Sequence, residues 1–405
     1  MTYLKRKIDE TLRQWKADPK RKPLIVKGPR QIGKTESVHH FAETNYTSVI
    51  YINFVEEPKY KLITEDGYKT DDIIKNISRM DPAKRFIPGE TLIFFDELQE
   101  FPDIATALKF FHIDGRFDVI CSGSMLGINY RKIESNSVGY KSDYEMKSLD
   151  FEEFLWAMGQ KQLADLIRLQ FATKKPLPDG LHARAMGLLR EYMLVGGMPE
   201  AVATYVEKRT FAPIDEIKRR ILTLYRNDVA RFARGYEFKV VSVLDGIPGQ
   251  LSKHEKKFTL ASIDKNARMR SYEEAFFWLS DTRIANPCFA AADPSVGLSL
   301  NMDQSTLKCY MADTGLLVTL ALADNALTGE DVYRSVLRGE IGLNEGMLTE
   351  NIVAQMLRAN GHKLFFYSQS GKEAGEKRME IDFLIVSPYA NAAMKPRVSP
   401  IEVKS

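Results

Sequence analysis

Cysteine is scarce. Only Cys121, Cys288 and Cys309 occur in 405 residues, and they stand far apart. That spacing fits neither a disulfide framework nor a zinc knuckle, and it points to a reducing compartment, the cytoplasm. An excess of one charge is lacking too. Lysine and arginine number 57 against 54 acidic residues, a net charge of +3, so no global field argues for or against a nucleic-acid partner. Local basic clusters would have to supply that attraction. No apolar run reaches the ~18 residues a membrane span needs. The opening "MTYLKRKIDETLRQWK" alternates charged and apolar residues at helical spacing and lacks the apolar core of a signal peptide. Repeats and low-complexity tracts are absent. What remains is 44% apolar and 27% charged, the composition of a globular chain, with length enough for two or three domains.

Through residue 150 short apolar runs alternate with helical segments. "LIVKG", "VIYINF", "TLIFFDE", "DVICSG" and "YEMKSL" read as strands, with helices near 35–45, 71–80 and 103–112. Continuous apolar strands between helices imply an α/β fold, a parallel sheet covered on both faces. From "SLDFEEFLWAMG" the spacing is helical over 151–244, broken at "VGGMPEA" and by the polar connector "TKKPLPDG". Residues 215–235 form one basic amphipathic helix in this reading. Residues 245–335 give short helices, "MRSYEEAFFWLSDT" among them, then strands "RIANPCFAA" and "LKCYMADTGLL", the order of a winged helix. Residues 336–405 give a helix ("NEGMLTENIVAQMLRANG") and strands "KLFFYS", "EIDFLIVS" and "PIEVK", a second and smaller α/β unit.

The sharpest motif is "GPRQIGKT", Gly28-Pro29-Arg30-Gln31-Ile32-Gly33-Lys34-Thr35. It follows an apolar strand and opens a helix, the setting that a phosphate-binding P-loop requires. Gly28 and Gly33 let the backbone curl so that successive N–H groups face phosphate oxygens. Lys34 would charge-pair the β- and γ-phosphates of ATP, and Thr35 would offer its hydroxyl to Mg²⁺. "TLIFFDE" supplies the acidic partner: Asp96 for the metal shell and Glu97 to orient or deprotonate the attacking water. Ser122 and Ser124, at the end of "DVICSGS", are candidates for the γ-phosphate side or for plain turn residues. Arg226, Arg231 and Arg234 on the basic helix either meet transition-state charge or simply solvate that helix.

"GPRQIGKT", "FFDELQEFPD", "CSGSMLG", "SLDFEEFLWAMG", "YMLVGGMPEAV", "ADTGLL" and "LNEGMLTENIVAQML", in that order, resemble a prokaryotic group of AAA-type ATPases with the family-14 P-loop domain. In that group the N-terminal AAA domain is joined to a C-terminal domain of unknown function that is nuclease-like. The resemblance implies ATP and Mg²⁺ at Gly28–Thr35 and Asp96–Glu97. One departure is Tyr140 in "SVGYKSD", where relatives carry an arginine after the glycine. If that arginine acts on phosphate, hydrolysis here is weaker or uses another residue.

A winged helix would offer Lys265, Arg268 and Arg270 to a DNA backbone, with Lys253, Lys256 and Lys257 nearby. Glu273, Glu274 and Asp281 oppose that use. E-x-K occurs six times, at Glu57, Glu145, Glu216, Glu237, Glu255 and Glu402, so the tripeptide alone means nothing. The last copy differs in its setting. "EIDFLIVS" carries Asp382, and Glu402 and Lys404 would share one face of the next strand, since strand side chains alternate. Asp382, Glu402 and Lys404 thus resemble the PD-(D/E)xK nuclease core, with Glu350 on the preceding helix as a fourth member. Glu350, Asp382 and Glu402 would hold metal, and Lys404 would position the water or steady the developing charge. That class of nuclease carries a further helix after the E-x-K strand, so a chain cut short at Ser405 is expected.

Two functions stand side by side. One is a Mg²⁺-dependent ATPase coupled to a nuclease-like domain for DNA handling. The other is an ATP-dependent switch or scaffold whose nuclease-like domain is inert. The sequence leaves open a homo-oligomer and the source of any arginine supplied in trans.

Overall fold

In the N-terminal unit, Met1–Lys147, the continuous apolar runs become parallel strands packed between helices. The computed structural model describes residues 3–124, 139–265, 267–295, 297–324, 327–342, 344–369, 379–387 and 397–404. The end of "CSGSMLG", the start of "SVGYKSD" and Ser405 lie outside the described residues. Strands β1 (Leu24–Lys27), β2 (Ser48–Asn53), β3 (Thr91–Asp96), β4 (Asp118–Gly123) and β5 (Ser142–Glu145) lie in the order β2-β3-β4-β1-β5. Helices α1 (Ile8–Ala17), α2 (Lys34–Asn45), α3 (Thr70–Met80) and α4 (Ile104–Asp114) cover them. Every residue of β3 is buried, which is why its sequence does not alternate. The core runs from Ile25, Ile50 and Ile52 through Ile93 and Phe95 to Leu108, Phe111 and Cys121.

The strand expected at "YEMKSL" starts earlier, at Ser142. Among the described residues it pairs only with β1, as an edge strand, and its residues are half-exposed. Backbone pairing rather than apolar burial makes it a strand.

The C-terminal unit, Ser148–Ser405, starts with helices. These are α5 (Phe151–Ala157), α6 (Lys161–Thr173), α7 (Asp179–Val195), α8 (Pro199–Lys208), α9 (Ala212–Phe232), α10 (Glu237–Leu251) and α11 (Glu273–Asp281). Asp150 and Glu153 form a reciprocal capping box at the start of α5. Five strands follow in a mixed sheet: β6 (Ala285–Ala291), β7 (Met302–Met311), β8 (Phe365–Gln369), β9 (Met379–Ser387) and β10 (Arg397–Ile401), in the order β10-β9-β8-β6-β7. Helices α12 (Thr314–Ala321), α13 (Glu330–Leu337) and α14 (Glu345–Ala359) lie between β7 and β8 in the chain.

Three expectations change here. "ADTGLL" is no strand: Asp313 caps α12 by accepting a hydrogen bond from the Leu316 amide, and an N-cap aspartate starts a helix. The β6–β7 hairpin is no isolated wing, because β6 also pairs in parallel with β8, so one sheet runs across the expected boundary at 335/336. Finally, β10 ends at Ile401, so Glu402 and Lys404 follow the strand instead of sharing its face. Among the described residues, no helix is long and apolar enough to cross a membrane.

Candidate functional site

Strand register brings the first site together. Lys27 of β1 pairs with Gly123 of β4, and Phe95 of β3 pairs with Cys121. The next residues, Gly28, Asp96 and Ser122, therefore crowd one end of the sheet. Gly28 has φ +151°, and a Cβ there would sit 2.3 Å from the Met146 carbonyl oxygen. Gly33 has φ +83° at the cap of α2, and Gln31 has φ +65°. This run of unusual backbone curls the loop tightly, and only glycine fits its closest approach.

Lys34 is buried, and its ammonium donates to the carbonyls of Gly28 (3.1 Å) and Pro29 (2.8 Å). Burial pushes its pKa down to about 8, although Glu97 and Asp96 pull upward. Thr35 Oγ1 donates to Asp96 Oδ2 at 2.8 Å. Tyr51 donates to the same oxygen at 3.2 Å, and Ser122 donates to Asp96 Oδ1. Ser124 is also buried, and its hydroxyl meets no partner among the described residues. A hydroxyl and a carboxylate already paired, next to a buried lysine, suit a phosphate-bound Mg²⁺.

Glu97 leaves β3 in the left-handed conformation, φ +57°. Its carboxylate accepts a hydrogen bond from Gln99, a buried side chain that the sequence reading passed over. Gln99 Oε1 lies where a Cβ on Gly123 would come within 2.7 Å, so Gly123 makes room for it. In the sequence Gln99 is only the third polar residue of "DELQE", and nothing in that string sets it against Glu97. Tyr140 precedes β5 at the end opposite Met146, with Lys109 Nζ 5.2 Å from its ring centre. Its departure from the related arginine falls at the far end of β5 from the loop.

The second site lies in the C-terminal sheet. Glu350, on α14, is buried; its Oε1 accepts from Lys308 Nζ at 3.0 Å and from the Tyr310 hydroxyl. Its Oε2 accepts from Lys256. Lys308, on β7, also reaches Glu380 at 3.2 Å and Asp382 at 3.4 Å. Burial alone would lower the Lys308 pKa, but Glu350, Glu380 and Asp382 outweigh it and hold the ammonium charged. Glu350 likewise is held below its usual range: burial opposes ionisation, and Lys308, Lys256 and Tyr310 overcome it. The Asp382 Oδ2 accepts from the Val403 amide at 2.9 Å. The structure thus joins Glu350 and Asp382 and adds Glu380, Lys308 and Tyr310. Glu402 is exposed, and Lys404 lines a cavity of about 410 Å³ with Leu348 and Ile352 of α14. Among the described residues no group of three or more acidic, histidine or cysteine side chains is arranged to hold a metal ion.

The basic segment is less basic than it reads, because Lys256 is taken up by Glu350. On α9, Arg226 pairs with Asp245 at 2.6 Å and Arg231 lies over the Phe232 ring.

Residues 20–155 match the family model described as "AAA domain", and residues 186–327 match "Domain of unknown function (DUF8612)". A search of curated proteins returned no match. Among solved structures the chain is similar to PCH-2 of C. elegans, at 10% identity over 49% of this chain and 58% of that one, with a TM-score of 0.29. It is similar to the RuvB Holliday junction branch migration motor of Thermotoga maritima, at 14% identity over 69% and 87%, TM-score 0.31. It is also similar to the Aeropyrum pernix ORC1 protein, solved in complex with DNA, at 13% identity over 78% and 90%, TM-score 0.28. Residues 20–155 thus match an AAA domain, and the five parallel strands with the glycine-rich loop after β1 have its P-loop fold.

Proposed function

We propose that the N-terminal unit binds ATP with Mg²⁺ and hydrolyses it. The observation that carries this reading is the Thr35–Asp96 hydrogen bond of 2.8 Å beside the buried Lys34. Backbone N–H groups of the loop Gly28 to Gly33, Pro29 having none, would line the phosphates, with Lys34 as the cation. Thr35 and Asp96 would hold Mg²⁺, which on binding neutralises charge between the β- and γ-phosphates. Ser122 keeps Asp96 oriented through its other oxygen. Glu97, fixed by Gln99, is the base that takes a proton from water. Ser124, whose hydroxyl meets no partner among the described residues, would face the γ-phosphate.

The test pairs two variants of the full chain. Lys34→Ala should lose ATP binding with the fold intact by circular dichroism. Glu97→Gln should bind ATP and stop turning it over. Hydrolysis at the wild-type rate in either variant would move the site elsewhere.

Of the two roles left open, ATP-dependent switching is favoured over DNA handling by one observation. Lys256 is engaged by Glu350, and Glu273 and Glu274 open α11 beside Arg268 and Arg270. That surface suits a phosphate backbone poorly. Salt-sensitive duplex binding by the full chain, lost on Arg268→Glu, would reverse the preference.

A further inference from the structure

The nuclease-like reading needs Glu350 and Asp382 to carry a divalent ion, yet their oxygens are already engaged by the chain itself. Mg²⁺ demands about six oxygen ligands at short, near-octahedral geometry. Glu350 Oε1 faces Lys308 at 3.0 Å and the Tyr310 hydroxyl, and Oε2 faces Lys256. Asp382 Oδ1 faces Lys308 at 3.4 Å, and Oδ2 accepts from the Val403 amide at 2.9 Å. Glu380, the third carboxylate, faces the same ammonium at 3.2 Å.

Lys308 is fully buried, and it lies over the Phe366 ring of β8 with Nζ 5.2 Å from the ring centre. Its side chain therefore crosses the sheet face from β7 to reach β9. A buried charge so placed persists only where it is paired, and here three carboxylates converge on it. Removing it would leave Glu350 to Lys256 alone and would leave Glu380 and Asp382, both partly exposed, without their cation. The remaining members of the expected metal set flank Val403, whose amide holds Asp382: Glu402 is exposed, and Lys404 lines the cavity beside α14.

We infer that the ammonium of Lys308 is the resident cation of this acidic centre, filling the place of a divalent metal and leaving the centre unable to cut phosphodiesters. The inference stands independently of the ATPase reading. It makes the C-terminal sheet a charge-closed core, held by an internal cation on β7 that ties the sheet to α14.

The full chain without nucleotide tests this, with Mn²⁺ as the probe and free Mn²⁺ read by electron paramagnetic resonance. Wild type and Asp382→Asn should take up equal Mn²⁺. Lys308→Met, of similar length but uncharged, should take up one Mn²⁺ more than wild type. The double variant Lys308→Met with Asp382→Asn should lose that gain. Mn²⁺ bound by wild type and lost in Asp382→Asn overturns the inference. So does a folded Lys308→Met chain that takes up no additional Mn²⁺. Should Lys308→Met not fold, the comparison of wild type with Asp382→Asn still decides. Mg²⁺-dependent plasmid nicking by wild type, abolished in Asp382→Asn, is a second overturning result.

Discussion

The ammonium of Lys34 shows how a single residue makes the loop sensitive to pH. It donates to the carbonyls of Gly28 and Pro29, and burial lowers its pKa to about 8 against the pull of Glu97 and Asp96. On the proposed ATP reading, oligophosphate would bind only the charged form, and its own charge would raise the lysine pKa in the complex. Well below pH 8 the free site is protonated, so affinity is nearly flat there. Above it, binding must take up a proton, so the ATP dissociation constant should rise about twofold from pH 7 to 8 and about fivefold from pH 8 to 9. Titration calorimetry at pH 7, 8 and 9 checks this, with Lys34→Arg as the permanently charged control, whose profile should stay flat. A wild-type profile that is flat to pH 9 contradicts it. The motif residues were legible at this scale because each is fixed by its chemistry. Gln99 was not, because its role comes from the left-handed turn at Glu97, which no residue type announces.

At the scale of elements, legibility follows burial. Strands β1 to β4 were readable because continuous apolar runs have few other ways to be covered. β5 began two residues before its expected start and β10 ended at Ile401, short of the E-x-K, because both are sheet edges whose pairing leaves side chains in solvent. The pair "VGGMP" and "ADTGLL" carried no readable chemistry, yet they lock together. The Gly197 amide donates to Asp313 at 2.7 Å, and the Gly197 carbonyl accepts from Leu149 at 2.7 Å. A Cβ on Gly197 would lie 2.1 Å from the Leu149 carbonyl oxygen, against backbone that cannot swing aside. Gly197→Ala should therefore destabilise the C-terminal unit by about 3 kcal/mol. Urea unfolding followed by its tryptophans should show a lower midpoint at unchanged slope. An unaltered midpoint would mean that the close approach relaxes freely.

For the whole molecule, the chain makes two compact units where length allowed two or three, and one sheet spans what read as two modules. That join was illegible because β6 and β8 lie far apart in sequence and pair in parallel through only two residue pairs. Their cores are built from separate residues: Ile25 to Cys121 in the first unit, Leu298, Phe365 and Leu384 with others in the second. Amide exchange proceeds through local and subglobal openings, so each unit should report its own stability. ATP held at a hundred times its dissociation constant should stabilise the unit that binds it by about 2.7 kcal/mol. Amides of β1, β3 and β4 that exchange by unfolding of that unit should then slow by about a hundredfold in the Glu97→Gln chain, which keeps the nucleotide intact. Amides of β6 through β9 should keep their rates. Equal slowing in both sheets would show that nucleotide binding is felt across the whole chain, and the acidic centre around Lys308 would then answer to the state of the P-loop.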